Sequence, residues 1–293
     1  MLKEFIKSLS PPILLDIYYG IRFKLIYLKY RKYFIKNEYL KDSMVGQRCF
    51  ILGSGHSIDS VDINRFKNEN IIGLNSFMFH DDYKSIISPD LEGVKYHVIT
   101  PLHEFAYPNM HNAYIDELDA GLSNSVKYFF GIDDFKFNYI DEFKKKKSLD
   151  EPNRHYIHCN IPPEKKDKIT DASYDCSKTT WAHKTSSNMA LFLALYLGFE
   201  NIYLLGVDHD HMNADPDNVK AIKNGILSES ETVLLKELYT DDKGSQVGHF
   251  NDLIGVIRPM ELIEDKFPLK VKNLSKKSIF YCHQTVDIES LDI

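Results

Sequence analysis

Several short stretches of this chain carry residues whose type and spacing suit ligand chemistry. "ILGSGHSI" places Gly53, Ser54 and Gly55 where a backbone could closely approach a phosphate or a sugar. The stretch is one residue short of a dinucleotide G-x-G-x-x-G, because Ile58 stands where the third glycine belongs. A helix starting after it would favour an anion at its N-terminus, although a tight turn without any ligand needs the same glycines. "LNSF" sets Asn75 at a strand end, where its amide offers both a donor and an acceptor to a base or ribose edge. Thr100-Pro101 closes a third strand in the same way, and Thr185 to Ser187 can cap a helix.

"LLGVDHDHMNADPDN" brings Gly206, Asp208, His209, Asp210 and His211 after a buried strand. Asp208 and Asp210 have the D-x-D spacing by which many nucleotide-sugar transferases hold a divalent cation on a diphosphate. Oxygen ligands of this kind suit Mg²⁺ or Mn²⁺, and the histidines could recruit Zn²⁺. An EF-hand is excluded, since Met212 and Asn213 replace an oxygen ligand and the glycine of that loop. Acids that merely solvate a loop would read the same way. "SQVGHFND" offers His249, a residue type whose pKa suits a general base near neutral pH. With 12 histidines in the chain, a surface histidine is the plain alternative.

The elements that position these residues alternate. "RCFILG", "NIIGLNSF" and "KYHVIT" read as strands, as does "NIYLLGV", which is continuously apolar in the manner of a central parallel strand. The segment 185–197 reads as a helix stopped by Gly198. This rhythm predicts an α/β, Rossmann-like doubly wound, mostly parallel sheet with ligands at the carboxyl ends of its strands. The aromatic and polar stretch from Gly121 to Thr180 reads as insertions and helices beside that sheet, with Lys144 to Lys147 as a solvated face. The segment 213–246 reads as a lid-like loop. The predicted organisation is a basic helical segment over 1–44 and a catalytic domain over 45–293.

Bulk composition narrows the field. The chain has 293 residues, 43% hydrophobic and 27% charged, with a net charge of -6, which argues against a nucleic-acid binder. Yet residues 1–41 hold nine Lys/Arg against three acids, so that segment is +6 and the remainder -12. Ile, Leu, Tyr and Phe interleave with these cations at roughly helical spacing after Pro11 and Pro12. Two readings fit: an interfacial helix on an anionic membrane surface, or an amphipathic helix packed on the domain or a second subunit. The four cysteines show no C-x-x-C spacing and read as free thiols in a reducing compartment. No secretory signal and no run approaching about 20 apolar residues is visible.

Taken in order, these stretches resemble the bacterial CMP-sialic-acid-dependent sialyltransferases of glycosyltransferase family 42, whose fold is a GT-A variant. They also resemble the related MptE-like family, which includes the core of the flagellin-glycosylating motility accessory factors. "ILGSGHSI" is similar to the family's G-x-G-x-S-L loop, and "IIGLNSFMFHDDY" to its strand ending in Asn. "HVITPLHEF" is similar to its third strand, "KTSSNMALFLALYLGFENIYLLGVD" to its T-S-G helix and G-[IV]-D strand, and "VGHF" to its I-G-H. The resemblance spans about Arg48 to Phe280, with the middle matching poorly.

The resemblance implies a sugar transferred from a nucleotide-activated, CMP-linked or related donor to a bacterial surface glycan. Gly53, Ser54 and Gly55 would face the nucleotide phosphate and sugar; Asn75 and Thr100 would help hold the donor. Thr185 and Ser186 would contact the nucleotide or the carboxylate-bearing sugar, Gly206 would lie against the base, and His249 would deprotonate the acceptor hydroxyl. Asp208 would belong to the catalytic set, with Asp210 beside it on any Mg²⁺ or Mn²⁺. The chain departs from the family pattern at Ser54 and Thr100, where the family has Asn, and at Asp210, where it has Tyr. The basic N-terminus would hold such an enzyme at the inner face of the cytoplasmic membrane, near a lipid-linked glycan acceptor. Other expectations are a pyrophosphokinase of the MptE-like type, using ATP and Mg²⁺, and a non-catalytic nucleotide- or glycan-binding module.

Overall fold

Among the described residues there are nine strands, most of them apolar runs bounded by turn residues: β1 Arg48–Leu52, β2 Ile71–Leu74, β3 Lys95–Ile99, β4 Val126–Ile132, β5 Arg154–Cys159, β6 Thr179–Thr180, β7 Asn201–Leu205, β8 Val271–Asn273 and β9 Gln284–Thr285. The computed structural model describes residues 12–101, 108–119, 125–135, 138–149, 151–160, 168–181, 185–208, 225, 227–233, 245–276, 278 and 282–293. The strands form one sheet in the order β6-β5-β4-β3-β2-β1-β7-β8-β9. Every pairing is parallel. The chain therefore builds outward from β1 through β6, then returns to lay β7 on the other side of β1. That reversal makes a topological switch point between β1 and β7, the place where open α/β sheets open a ligand crevice at the strands' carboxyl ends.

The described helices are α1 Pro12–Phe34, α2 Tyr83–Ile86, α3 Pro108–Asp119, α4 Tyr139–Lys145, α5 Ser186–Leu197 and α6 Ser245–Lys266. Side chains alternate across the pleat, so neighbouring residues of β1 enter different cores. Cys49 and Ile51 pack with α5 and with Val256, Met260 and Ile263 of α6. Phe50 and Leu52 face the other way, into a core that includes Phe23, Ile26, Tyr30 and Phe34 of α1 and Tyr139, Ile140 and Phe143 of α4. Burial on both faces is why these strands read as unbroken apolar runs. Helix α5 is apolar on nearly every side because it is buried throughout. Its Thr185 hydroxyl caps the Asn188 N–H at 3.3 Å, and Gly198 ends it at φ 87°.

The doubly wound parallel sheet agrees with the expectation, and the reading of the middle region needs correction. Residues 121–180 supply β4, β5 and β6, three strands of the central sheet rather than additions beside it. "KYFFGI" and "RHYIHC" are strands whose interior is built from Phe, Tyr and His, all strand formers that look less apolar than Ile or Val runs. The lysine run does lie on a solvated face, where Lys144, Lys145 and Lys146 pair with Asp141, Glu142 and Asp116. Cys49, Cys159, Cys176 and Cys282 are free thiols.

Helix α1 lies across β5 and runs against the strand direction. Arg22 pairs with Asp134 just beyond the carboxyl end of β4. Further along, Tyr33 meets Tyr156, and Tyr39 meets His155 toward the amino end of β5. Tyr30 donates to Asp141 of α4 at 2.8 Å, and Asn37 beyond the helix donates to the carbonyls of Tyr156 and Cys176. Among the described residues no helix is long and apolar enough to cross a membrane.

Candidate functional site

The loop after β1 is held by the loop after β7. Alternate backbone N–H groups of the glycine loop turn toward it: Gly53 donates to Leu205 O and Gly55 to Gly206 O, each at 2.8 Å. Ser57 then donates to Asp208 Oδ2 at 2.8 Å, and its hydroxyl oxygen accepts the Gly206 N–H at 3.1 Å. The two backbones cross so closely that a Cβ on Gly53 would sit 2.2 Å from Gly206 O. Gly206 has φ +68°, and a Cβ there would lie 2.6 Å from Gly53 O. The glycines are thus required first by the approach of chain to chain. What that approach creates is a rigid, narrow shelf of backbone at the switch point.

Asp208 is the side chain that fastens this shelf. Its carboxylate is almost fully buried, with Oδ2 also 3.8 Å from His56 Nδ1. Oδ1 is buried and has no hydrogen-bond partner among the described residues. A buried polar atom without a partner is rare enough to mark a place where a ligand or water belongs.

At the neighbouring strand ends Asn75 and Thr100 are joined. Asn75 Oδ1 accepts the Thr100 N–H at 3.0 Å and the Thr100 hydroxyl at 3.3 Å. Asn75 takes this position in the left-handed region, at φ 40°, which asparagine tolerates better than most residues. Its backbone carbonyl is gripped by His97 Nε2 at 2.9 Å, while His97 Nδ1 lies 2.9 Å from the Tyr83 hydroxyl. The carbonyl can only accept, so Nε2 carries the proton and Nδ1 accepts from Tyr83. Burial pushes the His97 pKa down to about 4, with the bond to Asn75 opposing, so the ring is neutral at pH 7. Gly73 makes room for it, since a Cβ there would meet His97 Nδ1 at 2.5 Å.

Helix α5 follows β6 and precedes β7, so its N-terminus opens at the same carboxyl edge. Thr185 and Ser186 therefore lie on the edge that carries the glycine shelf and the Asn75–Thr100 pair. Thr185 Oγ1 is engaged in the cap and lies 2.8 Å from Ser187 Oγ. One turn in, Asn188 is fully buried, and neither its Nδ2 nor its Oδ1 has a partner among the described residues. Two orphaned amide atoms at a helix start are costly unless a ligand meets them.

The structure thus brings Gly53, Ser54, Gly55, Gly206 and Asp208 together, bonds Asn75 to Thr100, and sets Thr185 and Ser186 at the same edge. The backbone of His249 lies in the second turn of α6, a helix that leaves the carboxyl side and ends just before β8; its side chain lies outside the described residues. His209, Asp210 and His211 lie outside them too, as does most of the expected lid at 213–246, whose residues 245 and 246 are already helical. Among the described residues no three His, Cys, Asp or Glu side chains gather as a metal site. At the shelf the described residues place one buried carboxylate, that of Asp208, and a single carboxylate does not amount to a site for Mg²⁺ or Mn²⁺.

Reading the sequence missed His97 and Asn188 as members of this region. Each had a signal: a histidine inside a strand of otherwise buried character, and an asparagine in the apolar run of "SSNMALFLALYL".

Comparison with protein-family models, with curated proteins and with solved structures finds no match.

Proposed function

We propose that this protein is a glycosyltransferase of the sialyltransferase-like kind, moving a sugar from a nucleotide-activated donor to a surface-glycan acceptor. The observation that carries the reading is the glycine shelf locked onto the Gly206–Asp208 loop at the switch point, with Asn75, Thr100 and the start of α5 on the same edge. A donor lying along this edge meets backbone groups at close range and a helix N-terminus suited to its phosphate. Asn75 Oδ1 is committed to Thr100, so its amide NH₂ is the end left to donate to the donor. Ser186 and the α5 N–H groups take up charge on the departing nucleotide phosphate.

In the transfer step the acceptor hydroxyl attacks the anomeric carbon and the bond from that carbon to the nucleotide phosphate breaks. His249 accepts the hydroxyl proton as general base, and the nucleotide leaves as the anion. Such an enzyme works as a peripheral protein at the inner face of the cytoplasmic membrane, where lipid-linked acceptors are presented.

Thermal-shift measurement with CMP-, UDP- and GDP-sugars and ATP, each with and without Mg²⁺ or Mn²⁺, tests the donor class. A shift with one sugar nucleotide, and turnover of it lost in His249→Ala, is the expected result. A shift only with ATP and Mg²⁺ makes the protein a pyrophosphokinase instead, and a shift without turnover leaves a binding module.

A further inference from the structure

The face of α1 turned away from the sheet is as apolar as the face that packs on it. Phe23, Ile26, Tyr30, Tyr33 and Phe34 are buried. Leu14, Ile17, Tyr18, Ile21, Leu25 and Leu28 are each 50–59% exposed. Their spacing follows steps of three and four, so they form one continuous stripe along the helix. An isolated exposed leucine needs no explanation, but a stripe of six large side chains does.

The charges beside the stripe say what covers it. On a helical projection Lys24 and Arg31 border one side, Lys29, which lies 3.8 Å from Asp141, borders the other, and Lys32 closes the C-terminal end; all four are exposed. The Pro12–Phe34 sequence holds one acid, Asp16, against five Lys/Arg. A second copy of this helix docking through the stripe would set cations against cations along both borders, an excess that one acid per helix does not answer. An anionic lipid surface answers both features: acyl chains take the aliphatic stripe, and headgroups take flanking cations whose stems snorkel outward.

We propose that the outward stripe of α1, from Leu14 to Leu28, docks onto anionic lipid headgroups and the acyl boundary beneath them. Because α1 runs against the strands, its N-terminal turns point toward the carboxyl edge, as the Arg22–Asp134 pair beyond β4 records. Docking through the outward face lays the strands along the membrane surface, with the site edge opening beside the headgroups. This contact specifies the peripheral placement proposed above and rests on it, but it does not rest on the transfer chemistry. Vesicle binding is read without donor or acceptor, so the two ideas fail separately.

The test is co-sedimentation of the full chain with vesicles of phosphatidylcholine alone and with about a third phosphatidylserine. Binding to the anionic vesicles should be at least tenfold tighter and should weaken as salt is raised. Ile21→Ser with Leu25→Ser should abolish binding, and Lys24→Glu with Arg31→Glu should remove the anionic preference. All four positions are exposed, so the thermal midpoint should hold in each variant. Equal binding to both vesicles, or none to either, overturns the proposal. So does a dimer in light scattering that Ile21→Ser with Leu25→Ser converts to monomer.

Discussion

The Asp208 carboxylate accepts the Ser57 backbone N–H at 2.8 Å, joining the loop after β7 to the loop after β1 across the switch point. A buried carboxylate that accepts such a bond holds the shelf in one geometry before any ligand arrives. Asp208→Ala should destabilise the fold by about 2 kcal/mol, since it removes the carboxylate acceptor and leaves a part-buried N–H without it. Asp208→Asn keeps a carbonyl acceptor and should recover much of that loss. Chemical denaturation of the three proteins checks this, and an Ala variant as stable as the parent would show the bond to be idle.

Gly53→Ala should be far worse than an ordinary glycine substitution. Its Cβ would lie 2.2 Å from the Gly206 carbonyl oxygen, so one backbone must move. A cost on the order of 3 kcal/mol or more is expected, with loss of nucleotide binding. Gly46→Ala supplies the control: unlike Gly53 it has positive φ, but nothing lies within 4 Å of its Cβ, so only the backbone term of about 1 kcal/mol applies. Equal thermal midpoints for the two variants would refute the crossing argument.

Asn75 has two separable duties. Asn75→Gly keeps the left-handed backbone but loses the amide, whereas Asn75→Ala loses both. The Ala variant should be the less stable of the two by about 1 kcal/mol. Both should lose nucleotide binding to a similar degree if the amide reads the donor. Calorimetric titration decides; undiminished affinity in the Gly variant would remove Asn75 from the site.

Asn188 makes an opposite prediction for stability and binding. Replacing its unpartnered buried amide with Asn188→Leu should leave the free protein equally stable or raise it by about 1 kcal/mol. The same variant should show a smaller thermal shift with the donor nucleotide. An unchanged shift would mean that no ligand meets this amide.

Three buried histidines predict the acid limit. His97 and His155 are pushed down to about 4 and His158 to about 3, mainly by burial; the charges of Lys127 and Lys36 add to the effect on His155. His158 lies among Phe23, Tyr27 and Phe34 of α1, and His155 Nδ1 is 3.1 Å from Asn37 Oδ1. The unfolded chain takes up these protons near pH 6.5 and the folded chain does not, so the stability is complete above that pH. It falls as pH drops from about 6.5 toward 4, with each histidine withdrawing on the order of 2 kcal/mol by pH 4.5. A pH series of denaturation curves should show this slope. His158→Gln, which cannot charge, should flatten it; an unaltered slope would assign the acid loss elsewhere.

Local spacing was enough to locate β1, β2, β3, β7 and α5, because aliphatic runs between caps and glycines declare buried strands and helices without outside help. It was not enough for β4, β5 and β6, whose Tyr, Phe and His are apolar only in the company of the sheet. The glycine loop shows the division most clearly. Ile51 to Ile58 already specified a turn that no large residue could follow at Gly53. Which chain crosses it depended on β7 returning beside β1, a contact about 150 residues distant in sequence. The same holds for Asn75, legible as a strand-end amide, but placed in its left-handed turn by His97 of the next strand. Residue type and order set what each side chain can do; burial and the parallel register decided which of them meet.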